Sequence, residues 1–188
     1  MGNHSSPAVK LFTMQLKSLF VFAFSPVLLF AQTTPAQIES DINVLVAALA
    51  AAIVAIDAFP IEGGTLDEAI AIHTADTGVN DGLVTVTNDI TTASCPLSDT
   101  DASAILTLVE AQGPNIQQAL MDAVAREPGL AAVGAVPIIR DDLTTLQASS
   151  DAMGAALVDC VSSNLASRAQ AFQSAVDAAF APAVAAFS

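Results

Sequence analysis

The sequence predicts an all-α protein, an antiparallel bundle of about five helices, one or two of them kinked. Apolar residues recur at three- and four-residue steps along five segments, which is the spacing of one face of a helix. Alanine, the best helix former, is the commonest residue after position 31, and the chain has no Trp or Tyr. Capping residues, prolines and glycines divide the segments, and short turns between them favour an antiparallel bundle.

The first segment carries start and stop signals. Thr34-Pro35-Ala36-Gln37 supplies an N-cap, a proline at the first helical position and a Gln that completes a capping box. An apolar stripe follows over residues 38–59. Pro60 and Gly63-Gly64 then end the predicted helix.

The second and third segments each contain helix-weakening residues. A capping box at residues 65–68 starts the second, whose stripe runs over residues 72–90, and Gly78 to Gly82 predicts a kink or a break in its middle. The third begins with the capping sequence at residues 98–101. Gly113-Pro114 inside it predicts a kink or two abutting helices.

The last two segments follow a short link. Glu127-Pro128-Gly129 ends the third segment, and residues 130–136 are expected to hold at most one helical turn. The fourth segment runs from Pro137 to about Cys160 or Val161. The fifth runs from about Ser163 or Asn164 to the C-terminus.

The N-terminal residues have the layout of a secretory signal. Lys10 and Lys17 precede an apolar run from Leu19 to Ala31, which ends in a small residue and is followed by polar residues. We assign residues 1–31 as a signal peptide, with Met14 as an alternative start, and residues 32–188 as one helical domain. The run is short for a membrane helix, so no integral membrane span is expected.

Charge excludes two classes of partner. After residue 31 the sequence has three arginines, no lysine and nineteen Asp and Glu residues, which gives a net charge of −16. Nucleic-acid binding and docking on anionic membranes both depend on Lys and Arg, so neither partner is expected. Any affinity for lipid must therefore come from apolar contact.

Cys95 and Cys160 are the only cysteines. An even pair in a secreted protein favours a disulfide, and two free thiols are the alternative.

The residues that carry chemistry form no coherent catalytic or metal site. His73 is the single histidine after residue 31, and although Asp76 follows it, no Gly-x-Ser-x-Gly sequence accompanies them. We expect His73 on a helix surface or at a cavity rim. Residues 76–82 hint at a calcium loop, but Asp81 stands where an EF-hand needs glycine. We predict no enzyme, no metal and no cofactor.

The order of helical motifs resembles that of the fungal hydrophobic surface-binding protein A family, which includes the cell-wall galactomannoproteins. The resemblance covers nearly all of the chain after the signal. It is carried by the Ala-rich first helix at 38–59, Pro96–Ala102, Arg126-Glu127-Pro128, Asp141-Asp142-Leu143, Met153–Leu157 and the Ala- and Phe-containing last helix.

This resemblance implies a secreted protein, extracellular or in the cell wall, that binds fatty acids in an apolar cavity or adsorbs to hydrophobic surfaces. It also implies an alternative, recruitment of a secreted hydrolase to such surfaces. Abundant alanine at inward positions makes a cavity plausible, and periodicity selects the side chains expected to line it. These candidates are Leu49, Ile53, Ile72, Ile105, Val109, Leu146, Met153 and Phe172.

Overall fold

The computed structural model describes residues 32–188 and confirms the all-α prediction for this part of the chain. The predicted signal at residues 1–31 lies outside the described residues. Apart from one isolated β-bridge between Thr33 and Ala93, all regular structure in residues 32–188 is helical. The helices are α1 (Pro35–Ala58), α2 (Leu66–Thr92), α3 (Asp99–Glu110), α4 (Gly113–Ala125), α5 (Glu127–Ala132), α6 (Val136–Cys160) and α7 (Ser163–Ala186).

These helices form five rods whose directions alternate in chain order, because α3 and α4 follow one another along the same side of the bundle and α5 has only six residues. α1 packs most extensively on α2, α2 also packs on α6, α6 on α7 and α7 on α4. Smaller contacts of α1 with α3 and α4 close the ring. The apolar stripes predicted from the sequence meet in one continuous core.

The predicted N-caps are present, but the capping box expected at Thr34 and Gln37 is not, because the Gln37 side chain donates to Asp41 at 2.7 Å. The side chains of Thr34, Thr65 and Ser98 accept hydrogen bonds from the backbone N–H groups three residues ahead, and Thr65 with Glu68 forms a complete capping box. The predicted break at Gly113-Pro114 is also present, since α3 ends at Glu110 and α4 begins at Gly113. Local sequence signals therefore set most of the helix boundaries.

Of the two outcomes predicted for the middle of α2, a kink or a break, the break is wrong, because this helix runs continuously from Leu66 to Thr92. The reason lies in Gly82. A Cβ atom built there would lie 3.0 Å from Leu45 Cδ1 and 3.3 Å from Leu45 Cα. Glycine at this position lets α1 approach α2 closely, and the helix–helix contact outweighs the low helix propensity.

The two ends of the bundle are closed differently. At the upper end, the predicted disulfide joins Cys95 to Cys160, and the Leu97 N–H donates to the Cys160 carbonyl at 2.9 Å. At the lower end, Gly129 of α5 lies against the loop after α1. A Cβ atom there would lie 2.9 Å from the Pro60 carbonyl oxygen and 3.0 Å from those of Ile61 and Gly63.

One described helix, α1, is long and apolar enough to cross a membrane by length and composition alone. In the bundle its inner face packs on α2, while Val44 and Val54 on its outer face are 62% and 68% exposed. Ala47, Ala50 and Ala51 lie between them and are also exposed.

Candidate ligand-binding interior

Two cavities lie along the axis of the bundle. The upper cavity, on the side of the disulfide, measures about 80 Å³, and the lower cavity, toward α5, measures about 60 Å³. Leu49, Val79 and Ile116 line both, so these three side chains from α1, α2 and α4 form the partition between them. The interior is therefore one elongated apolar region that is narrowed in the middle.

The upper cavity combines aliphatic walls with uncharged polar groups. Gln112, Ser150 and Gln173 line it together with apolar residues from α1, α2, α3, α4, α6 and α7. A Cβ atom at Gly154 would lie 2.9 Å from the Gln173 side chain, so the glycine gives that side chain room to lie against α6. Polar contact at this end is limited to amides and a hydroxyl.

The lower cavity contains charged residues in an aliphatic wall. Asp76 of α2 and Arg126 after α4 line it among side chains from α1, α2, α4, α5 and α6. The Arg126 guanidinium donates from Nε to the Phe59 carbonyl at 2.8 Å and from Nη1 to the Asp122 carbonyl at 2.9 Å. Its Nη2 donates to the Asp57 carbonyl and carboxylate at 3.3 and 3.2 Å. Arg126 is thus occupied in tying α4 to the end of α1.

Asp76 is the one buried charged side chain of the described region, at 7% exposure. The pKa of Asp76 is raised to about 7, mainly by burial and also by the nearby Asp142 carboxylate, while His73 acts in the opposite direction. His73 Nδ1 lies 2.8 Å from Asp142 Oδ1, and this exposed histidine joins α2 to α6. Burial is also the main reason that the pKa of Asp142 is raised.

Six of the eight residues selected by periodicity line the cavities. Val109, Met153 and Phe172 line the upper cavity, Ile72 and Leu146 line the lower one, and Leu49 lines both. Ile105 does not line either cavity but is fully buried in the core, and Ile53 is half-buried on α1 beside that core.

Sequence reasoning missed the polar lining residues. Apolar periodicity selects only apolar side chains, and so it passed over Gln112, Ser150, Gln173 and Arg126. A signal for Asp76 did exist, since it stands between Ile72 and Val79 at the four- and three-residue steps of the inward stripe. A carboxylate at such a position is expected to be buried.

Both cavities are small for a lipid. An apolar cavity of about 150 Å³ accommodates a benzene molecule, and each cavity here is smaller. A long acyl chain therefore requires the helices to move apart. The interface of α1 with α3 and α4 is the least extensive helix–helix interface in the ring. Separation of α1 from α3 and α4 therefore disrupts the fewest contacts.

The fold and these cavities define a class: an all-α bundle whose narrow interior is mostly apolar. Within that class, the chain belongs to the hydrophobic surface binding protein A family, which it matches over residues 35–159. No curated protein sequence matches it.

Several solved structures share the fold, including the following three. AfMP4P in complex with palmitic acid superposes with a TM-score of 0.77 at 24% identity, covering 82% of this chain and 100% of that one. Ligand-binding domain 1 of the Penicillium marneffei MP1 protein, complexed with arachidonic acids, gives 0.75 at 17% identity, covering 82% and 99%. Domain 2 of the same protein, complexed with multiple arachidonic acids, gives 0.74 at 14% identity, covering 84% and 98%.

Proposed function

We propose that this protein is secreted, is not an enzyme, and binds a fatty acid or similar lipid between its helices. The observation that carries the proposal is the pair of cavities joined at Leu49, Val79 and Ile116. On α1 the lining extends from Ile42 to Ile56, a distance of about 21 Å along the helix. An elongated apolar ligand fits that shape better than a compact one.

Three further observations support the proposal. The solved structures that share this fold include complexes with palmitic and arachidonic acids. The disulfide between Cys95 and Cys160 is compatible with a secreted protein. Among residues 32–188, Arg126 is the one cation that lines the cavities, and it already donates to α1 and to Asp122. Apolar contact with the tail therefore dominates the affinity.

The test is a chain-length series. Each buried methylene contributes up to about 0.8 kcal/mol, so two added methylenes tighten binding by up to roughly tenfold. We expect Kd to fall steadily from decanoic through dodecanoic and tetradecanoic to hexadecanoic acid in isothermal titration. Salt is expected to change these values little, because the one cation among the described lining residues, Arg126, is already hydrogen-bonded to α1 and Asp122.

A variant that fills the lower cavity sharpens this test. Leu146 lines that cavity, and Leu146→Trp places a larger side chain in the path of the ligand. We expect hexadecanoic acid to bind at least about tenfold more weakly while the helical circular dichroism signal is kept. Met121→Trp is the matched control, because Met121 is 58% exposed and lines neither cavity.

A second candidate function rests on the outer face of α1. No charged residue occurs from Asn43 to Ile56, and the exposed Val44 and Val54 flank three exposed alanines. Such a face favours adsorption to a hydrophobic solid. In this alternative function, the adsorbed protein recruits a secreted hydrolase to that solid. If affinity does not depend on chain length, or if Leu146→Trp binds hexadecanoic acid as tightly as the parent protein does, binding between the helices is contradicted. Adsorption through the outer face of α1 is then favoured.

A further inference from the structure

Asp76 is an unusual group to find in the wall of an apolar cavity. A buried carboxylate without a partner is costly, and a buried neutral acid still needs a hydrogen-bond acceptor. Among the hydrogen bonds of residues 32–188, none involves the Asp76 carboxyl, and the effects on it are burial and the charges of Asp142 and His73. Its hydrogen-bonding capacity is therefore available within the lower cavity.

The charged groups around Asp76 do not neutralise it. From its own helix, His73 faces it, and from α6, Asp142 does, but these two pair with one another at 2.8 Å. From the end of α4, Arg126 lines the same cavity but donates to the Phe59 and Asp122 carbonyls and to Asp57. α1 and α5 contribute only apolar side chains to this wall.

We propose that Asp76 binds the polar head of the ligand, as a neutral acid whose O–H donates a hydrogen bond to the carboxylate of a fatty acid in the lower cavity. This inference rests on the proposed function. The tail then passes the partition at Leu49, Val79 and Ile116 and lies in the upper cavity.

The lower cavity suits the head better than the upper one does. A hydrogen bond from an O–H group to a carboxylate is shorter than the N–H···O hydrogen bonds that the amides of Gln112 and Gln173 can donate. The ligand carboxylate and Asp76 share a single proton, so the pair holds one negative charge rather than two.

This arrangement makes binding depend on pH and on the head group. The pKa of Asp76 is about 7. Above that pH the side chain ionises, and two carboxylates then face each other in a cavity of low polarity. A fatty alcohol escapes this repulsion because its hydroxyl group donates to the ionised Asp76. Acid and alcohol of equal chain length should therefore respond differently to pH.

The experiment compares hexadecanoic acid with 1-hexadecanol from about pH 5.5 to about pH 8.5. For the parent protein, Kd of the acid should rise by up to about tenfold per pH unit above the pKa, while Kd of the alcohol changes little. Asp76→Asn should remove the slope for the acid, because an amide donates at every pH. Asp81→Asn, on the exposed side of the same helix, should keep it.

The possible outcomes separate this inference from the proposed function. If acid and alcohol lose affinity equally as pH rises, Asp76 contacts the tail and head-group binding is overturned, although lipid binding stands. Equal slopes for the parent and Asp76→Asn overturn it as well. If neither compound binds at any pH, the proposed function itself fails. If Asp76→Asn does not fold, the comparison of hexadecanoic acid with 1-hexadecanol on the parent protein still tests whether Asp76 binds the head group.

Discussion

The upper and lower ends of the bundle are held together by different kinds of interaction. At the upper end a covalent bond between Cys95 and Cys160 joins the α2–α3 connection to the end of α6. At the lower end Arg126 makes noncovalent bonds to the end of α1, and α5 packs against the following loop. A cavity lies on each side of the partition, and the one with buried charge is at the noncovalent end.

This difference implies that the two ends of the bundle have different roles. The disulfide keeps the helices at the upper end in register when the spacing between helices changes. The lower end, which is held by hydrogen bonds, opens at a lower free-energy cost than the upper end. The titratable Asp76 lies at that end, together with the Asp142–His73 pair. We therefore expect the lower half to respond to pH and to ligand, and the upper half to set overall stability.

The largest effect is expected from removing the disulfide. The bond closes a loop with a sequence separation of 65, which corresponds to about 4 kcal/mol of stabilisation on the chain-entropy estimate. The double variant Cys95→Ala/Cys160→Ala should lose about that amount in urea unfolding. Amide exchange should accelerate first near Ile90 and Leu97 at the upper end. Unchanged unfolding free energy, or faster exchange confined to the lower end, would contradict this account.

The next effect is a dependence of stability on pH. Asp76 has a folded-state pKa of about 7 against an ordinary value of 3.8, so the folded protein binds the proton more tightly than the unfolded chain does. The stabilisation is complete below pH 3.8 and is lost as the pH rises through about 7. One pKa unit corresponds to about 1.4 kcal/mol, so we expect a loss of roughly 2.5 kcal/mol as the pH rises from about 5 to about 7.5.

The pKa values of Asp142, Asp89 and Asp151 are also raised, mainly by burial, and they act in the same direction. Unfolding free energy should therefore be higher at about pH 5 than at about pH 7.5 in urea titrations, which is the reverse of the usual carboxylate effect. Asp76→Asn should flatten the curve, and the exposed Asp81→Asn should leave it unchanged. A parent whose stability rises with pH would refute the assignment.

Most of the fold followed from the sequence because its signals are local. The caps at Thr34, Thr65 and Ser98 act within one helical turn, and so their helices began where the sequence placed them. The break predicted in α2 was wrong at Gly82 because the decisive contact there is not local. The low helix propensity of Gly82 is a local property, whereas its close packing against Leu45 depends on another helix.

The interior was less accessible to sequence reasoning. Periodicity finds which side chains point inward, and it found Leu49, Ile72 and Met153. It cannot separate a side chain that lines a cavity from one that fills the core, as Ile105 does. Cavity volume depends on the distances between helices, and these are fixed by packing across the whole bundle.

The smallest of the expected effects tests the noncovalent end directly. Arg126→Met removes the donors to the Phe59 and Asp122 carbonyls while keeping an apolar stem against the lower cavity. Losing hydrogen bonds from a charged donor to partly buried carbonyls costs about 2 kcal/mol. We expect that loss in urea unfolding, with faster amide exchange at the end of α1 and no change near the disulfide.

Arg140→Met is the matched control for Arg126→Met. Within residues 32–188, Arg140 pairs only with the adjacent Asp141, and the two side chains are 46% and 73% exposed. Exposed pairs contribute about 0–1 kcal/mol, so this variant should unfold close to the parent. If the two variants lose equal stability, Arg126 does not tie α4 to α1. If Arg126→Met instead loosens the upper end, the two ends are coupled, and the lower half is not the independently responsive part of the bundle.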